Sequence, residues 1–452
     1  MLCGLYVAQG VPFGFVTITL AAALAAAGAT ADDIGKVIAL STLPWALKWI
    51  AGPFVDRFTI VSMGRRRPWI LLGQAGMVLT LVAMALIPDP TAQISLLGGL
   101  SFTHSCFNAL QDVSVDALAV DLLPPEERGR VTGFMYGSKY AGTAIGGAGL
   151  AIVSGAFGLP YAFGGMIIIV LLLSVLPLLM LERPWDRLFP WSKAPPHTSL
   201  GDTQCADCRY PLAGLEDDAA CPECGSTNRE EIPRPVVLES PPPGTTSFGQ
   251  LFVRLGTAFM TRAAALTAVM MLVERAASAI LSPIGTKLFV MDLGWGQAKY
   301  GTVTGGYAVV AGLTGAIAGG FLADRFGPRR VAAIATVGFG CLLMGFGFAE
   351  ELWANNWITI PYLVVESFLQ GAFATSLFAI CLGVSNPAVA ATQFTAYMAM
   401  SNLSTTWGSS ISGWVESTLG IPGAFLAAGI LQASIVLILP LTFIKRPPEA
   451  LS

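Results

Sequence analysis

The chain has 452 residues, of which 54% are hydrophobic and only 12% charged, where an ordinary soluble domain carries about 25% charge. Seventeen of the 53 charged residues fall within residues 182–250, so the remainder is too apolar to surround a water-facing core, and a soluble enzyme is excluded. The formal net charge of −3 points to no polyanionic or polycationic partner, and the reading is of a helical protein that crosses a lipid bilayer many times.

The first apolar stretch, about 2–27, has no basic residue ahead of it and is too long for a cleavable signal, so it is read as a retained first helix. Five more spans follow before the polar stretch, at about 34–55, 69–88, 94–120, 131–155 and 160–181. Six come after it, at about 263–291, 300–322, 331–349, 357–383, 391–416 and 422–444. The expected architecture is therefore all-α: twelve transmembrane helices in two six-helix bundles, 1–181 and 251–446, joined by a linker at 182–250 and ending in a short tail, 447–452. Basic residues cluster after span 2 (Arg57, Arg65, Arg66, Arg67), span 4 (Arg128, Arg130) and span 8 (Arg325, Arg329, Arg330). Lys445 and Arg446 follow span 12, whereas Lys36 and Lys299 are the basic residues near the opposite ends. An excess of Lys and Arg marks cytoplasmic loops, which places both termini and the central stretch in the cytoplasm and the protein in the cytoplasmic (inner) membrane.

The halves repeat one another. Ala51-Gly-Pro-Phe-Val-Asp-Arg-Phe58 after span 2 corresponds to Gly319-Gly-Phe-Leu-Ala-Asp-Arg-Phe326 after span 8, each followed by a basic cluster. These stretches resemble the loop signature of the major facilitator superfamily. Within the first half, Gln9-Gly-Val-Pro-Phe-Gly14, Pro44-Trp-Ala-Leu-Lys-Trp49, Gly64-Arg-Arg-Arg-Pro-Trp69, Gln111-Asp-Val-Ser-Val-Asp-Ala117 and Leu123-Pro-Pro-Glu-Glu-Arg-Gly129 resemble the muropeptide permease and acetyl-coenzyme A transporter family. The resemblance implies a major facilitator fold whose first, fourth, seventh and tenth helices line a central cavity. It also implies a secondary transporter that works as a monomer and imports a small molecule with protons, a muropeptide or related amino-sugar in the bacterial branch. Another organic anion or sugar, coenzyme A esters included, is the alternative, as is a transporter-like sensor.

Ionisable groups inside a bilayer are costly and mark a pathway, a relay or a buried pair. Lys48, Asp112, Asp116 and Lys139 lie at cytoplasmic-side depths of spans 2, 4 and 5, where they are expected to neutralise one another; Asp112 and Asp116 share one helical face. They read either as a fixed lock or as a proton path. Glu274 and Arg275 near the middle of span 7 are expected to point about 100° apart, one toward the cavity and one toward a neighbouring helix. Arg275 suits a carboxylate or phosphate, and Glu366 in span 10 is a second proton-carrier candidate. His104 reads as a titrating or a packing residue, and Gln9, Tyr136, Tyr140, Gln370 and Asn402 as sugar or amide binders or helix-packing polars. The glycine-rich run from Gly142 to Gly149 is read as a close helix approach. Asp56, Arg57, Arg65 and Arg66, with Asp324, Arg325, Arg329 and Arg330, are read as gating contacts on the cytoplasmic face, or as purely topogenic charges.

The central segment has soluble composition. Cys205-Ala-Asp-Cys208 and Cys221-Pro-Glu-Cys224 supply four thiolates in two pairs, the pattern of a structural Zn²⁺ in a zinc-ribbon-like module at about 205–225. Its six basic and eleven acidic residues argue against nucleic acid, leaving a protein-docking module or a spacer. Cys3, Cys106, Cys341 and Cys381 fall in helices and are read as packing residues. No catalytic constellation is expected.

Overall fold

The computed structural model describes residues 1–58, 63–123, 125–182, 189, 203–205, 220, 226–231, 256–257, 259–385 and 390–442. Side chains at 53, 56, 57, 120, 125–130, 132, 203–205, 229–231 and 390–392 are outside that description.

With no water in a hydrocarbon core to satisfy N–H and C=O groups, the backbone closes its own hydrogen bonds as helices. The first half contains α1 (Leu2–Gly14, a π turn Phe15–Leu20, then Ala21–Ala26) and α2 (Ala31–Leu47, a 3₁₀ turn Lys48–Ile50, then Ala51–Arg57). It continues with α3 (Arg67–Ala85), α4 (Ile94–Leu122), α5 (Pro125–Ala144, a π turn Ile145–Gly149, then Leu150–Phe157) and α6 (Leu159–Leu179). The second half contains α7 (Arg262–Val273 and Ala276–Lys287), α8 (Gln297–Gly301, a π turn Thr302–Tyr307, then Ala308–Phe326) and α9 (Pro328–Phe348). It ends with α10 (Asn356–Val384), α11 (Ala390–Ser410) and α12 (Ser412–Ser434, with short turns on to Thr442). Two short strands, β1 (Thr203–Cys205) and β2 (Arg229–Glu231), pair antiparallel in the central segment.

Among the described residues, nine of the helical stretches are long and apolar enough to cross a membrane. The exceptions are α2, α4 and α11, and the polar residues of α4 and α11 are largely buried. Along α4, Ser101, His104, Ser105, Asn108, Gln111, Asp112 and Ser114 are buried, and along α11 so are Gln393, Ser401, Ser404 and Ser409.

Helix ends follow local chemistry. Thr30 and Asp33 form a reciprocal capping box at the start of α2, so the helix begins at Ala31, three residues earlier than its apolar pattern predicts. Gly420 turns the chain with φ +68° inside α12, which makes Ser412 to Leu419 a continuation of α11, as the predicted boundary between spans 11 and 12 requires. The glycine-rich run of α5 packs against α1: a Cβ on Gly142 would meet the Val7 carbonyl and one on Gly146 the Val11 carbonyl. Small residues permit that approach where lipid supplies no hydrophobic drive. Thr19 donates to the carbonyls of Gly146 and Gly147 at 2.7 and 3.1 Å, serving acceptors in the α5 π turn.

The two ends of the molecule are packed differently. At the end away from the arginine-rich connections, one apolar core runs through both halves, from Ile34, Phe163 and Met166 to Leu281, Phe289 and Phe425. At the basic end, each half has its own core, one around Leu5, Ile70 and Leu118 and the other around Met271, Phe373 and Leu377. Hydrogen bonds between the halves accompany the shared core: Ser154 to Gln297 at 2.7 Å, Thr42 with Thr406 at 3.0 Å, and Ser412 to the Ala31 carbonyl at 3.2 Å.

Candidate functional site

A cavity of about 260 Å³ lies between the halves beneath the shared core. From the first half it takes Phe13, Thr17, Ile18 and Ile38; most of its wall comes from α7, α8 and α10. Arg275 and Glu366 are the charged groups of the lining, accompanied by the hydroxyls of Ser278, Ser282, Thr286, Tyr300 and Thr304 and by the rings of Phe289, Tyr362 and Phe425. Gln370 reaches across from α10 to Ser278 on α7 at 2.6 Å. Glu366 stands one turn from both Tyr362 and Gln370, so α10 presents a polar stripe of period four to the cavity.

The α7 wall departs from the sequence reading. Glu274 and Arg275 do not diverge: Arg275 Nε donates to Glu274 Oε1 at 3.0 Å. The hydrogen-bond ladder of α7 is interrupted there, ending at Val273 and restarting at Ala276, although both residues keep right-handed helical dihedrals, so it is the length of the two side chains that lets them meet from adjacent positions. Side chains of α11 hold the break open. The Arg275 amide donates to Ser404 Oγ at 3.2 Å, and the Leu272 carbonyl accepts from Trp407 Nε1 at 2.8 Å. Ser401 Oγ donates to Glu274 at 2.5 Å and accepts from Arg275 Nε at 3.0 Å. Residues 401, 404 and 407 share one face of α11, three apart. The expectation that one member faces the cavity holds in part: the Arg275 side chain is 39% exposed and lines the cavity, while that of Glu274 is 2% exposed.

In the first half, Lys48 and Asp112 form a buried ion pair at 2.7 Å, their side chains 20% and 4% exposed. Asp116 accepts instead from the Tyr6 hydroxyl, and Tyr6 packs edge-on against Tyr136. Lys139 is not in a direct ion pair among the described residues. Its ammonium lies 4.8 Å from the centre of the Trp45 ring, because Lys48 already occupies Asp112 and Tyr6 occupies Asp116. The expected mutual neutralisation is therefore one ion pair, one phenol–carboxylate bond and one ammonium on an aromatic face. Trp45 also joins the halves, its carbonyl accepting from Asn402 of α11 at 3.2 Å.

The remaining candidates separate by location. His104 Nδ1 pairs with Thr80 at 3.0 Å, a packing role. Gln9, Gln74, Asn108 and Gln111 are buried in the first bundle, each with an amide oxygen that has no hydrogen-bond partner among the described residues. Arg66 bonds Asp121 through Nε at 2.9 Å and its amide meets Glu182 at 2.9 Å, while Arg67 reaches the carbonyls of Pro177 and Leu178. Arg329 holds the Thr442 carbonyl at 2.9 Å. These contacts tie the basic connections after α2 and α8 each to its own half. Arg65 is half-buried, while Asp324, Arg325 and Arg330 are exposed at the same end. The side chains of Asp56 and Arg57 lie outside the described residues, as do Cys208, Cys221, Cys224 and the side chain of Cys205. Cys381 is buried as expected, but Cys106 and Cys341 are exposed; a small thiol is accommodated against acyl chains as readily as in a core.

Sequence reasoning passed over Tyr6, Trp45, Ser401, Ser404, Trp407 and the Lys287–Glu416 pair at 2.5 Å. The three-residue spacing along α11 was the available signal for its serines.

Two helical halves around a polar, charge-bearing cavity define a membrane transporter rather than an enzyme. The family model of the Major Facilitator Superfamily matches residues 2–271 and 264–452, and the chain belongs to that superfamily. It is 23% identical over 417 residues to the anhydromuropeptide permease of Escherichia coli (strain K12), covering 91% of this chain and 73% of that protein. An uncharacterized protein of Haemophilus influenzae is 22% identical over 390 residues, covering 84% and 79%. Among solved structures, the inward open conformation of a xylose transporter from E. coli superposes with a TM-score of 0.69 at 11% identity, covering 98% and 96%.

Proposed function

We propose that the protein is a proton-coupled importer of an anhydromuropeptide or related amino-sugar, working by alternating access across the cytoplasmic membrane. All twelve helices then cross the bilayer, α2, α4 and α11 included, with both termini and the central segment at the basic, cytoplasmic end. The observation that carries the reading is the cavity between the halves, whose lining combines Arg275, Glu366, hydroxyls and aromatic rings. That set suits a ligand bearing sugar hydroxyls and a carboxylate. The similarity to the E. coli permease supports the substrate class. Division into separate cores at the basic end, beside a shared core at the other, supports a state closed toward the outside.

The proton path in this reading comprises Asp112 and Asp116, two carboxylates one turn apart with a single direct ammonium partner between them, and Glu366 in the cavity wall. Protonation of one carboxylate releases its donor, and the released group changes its helix contacts. The central segment is proposed to hold a structural Zn²⁺ on Cys205, Cys208, Cys221 and Cys224. Antiparallel pairing of β1, which ends at Cys205, with β2 gives that ligand a ribbon backbone, and four thiolates leave no open position for catalysis.

Uptake of labelled anhydromuropeptide into proteoliposomes, with and without an outside-acid gradient, tests the proposal. Accumulation that needs the gradient and is lost in Asp112→Asn or Glu366→Gln is the expected result. Folded wild-type protein that takes up none overturns the substrate assignment.

A further inference from the structure

Eight buried side-chain atoms have no hydrogen-bond partner among the described residues, and all but Gln432 Oε1 lie in the first bundle. Five of them belong to three glutamines: Nε2 and Oε1 of Gln9 and of Gln74, and Oε1 of Gln111. These residues are 0%, 1% and 0% exposed, and none of them lines the cavity between the halves.

The three come from α1, α3 and α4 and meet at one level. Leu5, Ile70 and Val115 share an apolar core at the basic end, and Gln9, Gln74 and Gln111 each stand one helical turn from one of them on the same face. Because α1 and α3 run away from the basic end and α4 runs toward it, all three glutamines fall on the far side of that core. Gln111 ties the level together. Its Nε2 donates to the Leu5 carbonyl of α1 at 3.3 Å, and its backbone packs on α3, where a Cβ on Gly73 would lie 3.2 Å from the Gln111 nitrogen. Beyond the glutamines the apolar core shared by both halves begins, with Val11 and Met77. An amide layer between two apolar cores needs partners, since burying an unbonded donor or acceptor is costly. The atoms themselves select the partner. Each amide offers an acceptor oxygen and a two-proton donor; a cation satisfies the oxygens alone and an anion the nitrogens alone, and the three side chains bring no charge to balance either. Water both donates and accepts, and a buried water typically makes about three such bonds.

We propose that Gln9, Gln74 and Gln111 form an internal water-binding site that joins α1 to α3 and α4 inside the first bundle. The bound waters accept from the Gln9 and Gln74 Nε2 groups and donate to Oε1 of all three residues. A bridging water is nearly as good as a direct hydrogen bond, so the layer holds three helices together while every amide is satisfied. The site is separate from the transport cavity and does not depend on what the protein carries.

Radiolytic footprinting of the purified full chain tests the site, because X-rays generate hydroxyl radicals from bound water in place and a methionine beside that water is oxidised. Met77, 0% exposed and three residues on from Gln74, is the reporter. Met270 and Met271, also 0% exposed, sit in an apolar core of the second half and serve as the dry reference. The expected result in the wild type is oxidation of Met77 with both reference residues unmodified. Gln9→Leu combined with Gln74→Leu, which removes four of the five unpartnered atoms, should lose the Met77 oxidation while the helical circular dichroism persists. The comparison of the three methionines is made in the wild type and stands without the variant. Met77 as unmodified as the reference pair, or oxidised equally in the folded variant, overturns the site. A rise in unfolding temperature with Na⁺ or K⁺ over choline that is lost in the same variant assigns the layer to a cation and overturns it too.

Discussion

Replacing Asp112 by Asn should destabilise the protein more than any exposed substitution, because it leaves the Lys48 ammonium without its ion-pair partner. The pair is 2.7 Å apart, and the two side chains are 20% and 4% exposed. Breaking a buried pair from one side costs about 3–5 kcal/mol, whereas replacing both partners by apolar groups of similar size is close to neutral. The partial exposure of Lys48 and its distance of 5.9 Å from the Trp45 ring place the expected cost at the lower end, about 3 kcal/mol. Asp112→Asn and Lys48→Met should each lower the unfolding temperature of the detergent-purified protein. The combination Lys48→Met with Asp112→Leu should regain most of that loss while staying inactive in uptake. Strictly additive losses in the double variant, or an unchanged unfolding temperature in Asp112→Asn, would refute the ion pair as a stabilising element.

Other consequences follow from the packing. Gly146→Val places side-chain atoms against the Val11 carbonyl and should cost about 1–3 kcal/mol by forcing α1 from α5; Gly149→Ala, with open space around it, should lie within about 0.5 kcal/mol of wild type. Thermal unfolding of the two variants checks both. Ser154→Cys with Gln297→Cys, at the bond that ties α5 to α8, should crosslink on mild oxidation and stop uptake, with recovery on reduction; full uptake in the crosslinked protein would contradict closure at that end. Purified protein should contain one zinc per chain by elemental analysis, lost in Cys208→Ser and Cys221→Ser while the helical circular dichroism persists.

Much of the helical layout was legible from hydropathy, since a helix in lipid must be apolar for about twenty residues wherever it faces acyl chains. The polar helices α2, α4 and α11 were found from position and punctuation, and for α4 and α11 the structure gives the reason for their composition: their polar residues are largely buried within the protein. The candidate charges of α2, α4 and α5 were recognisable because ionisable residues are rare in such segments. The pairing of Lys48 with Asp112 followed from their similar depth; the partners of Asp116 and Lys139 did not, because a phenol such as Tyr6 or an indole such as Trp45 reads as ordinary apolar lining. The break at Glu274–Arg275 was hidden for a deeper reason. Nothing in the α7 sequence interrupts the helix there; the interruption is maintained by Ser401, Ser404 and Trp407, more than a hundred residues away. The Arg275 N–H and the Leu272 carbonyl, released from the helix ladder, are satisfied by those α11 side chains, as a backbone in lipid requires.

The most direct test of proton-coupled import is lumenal acidification. Proteoliposomes holding a pH-sensitive dye, with equal pH on both sides, receive anhydromuropeptide outside. The account predicts that the lumen acidifies as ligand enters and that Asp112→Asn and Glu366→Gln abolish the signal. Ligand entry in the wild type without acidification would contradict it.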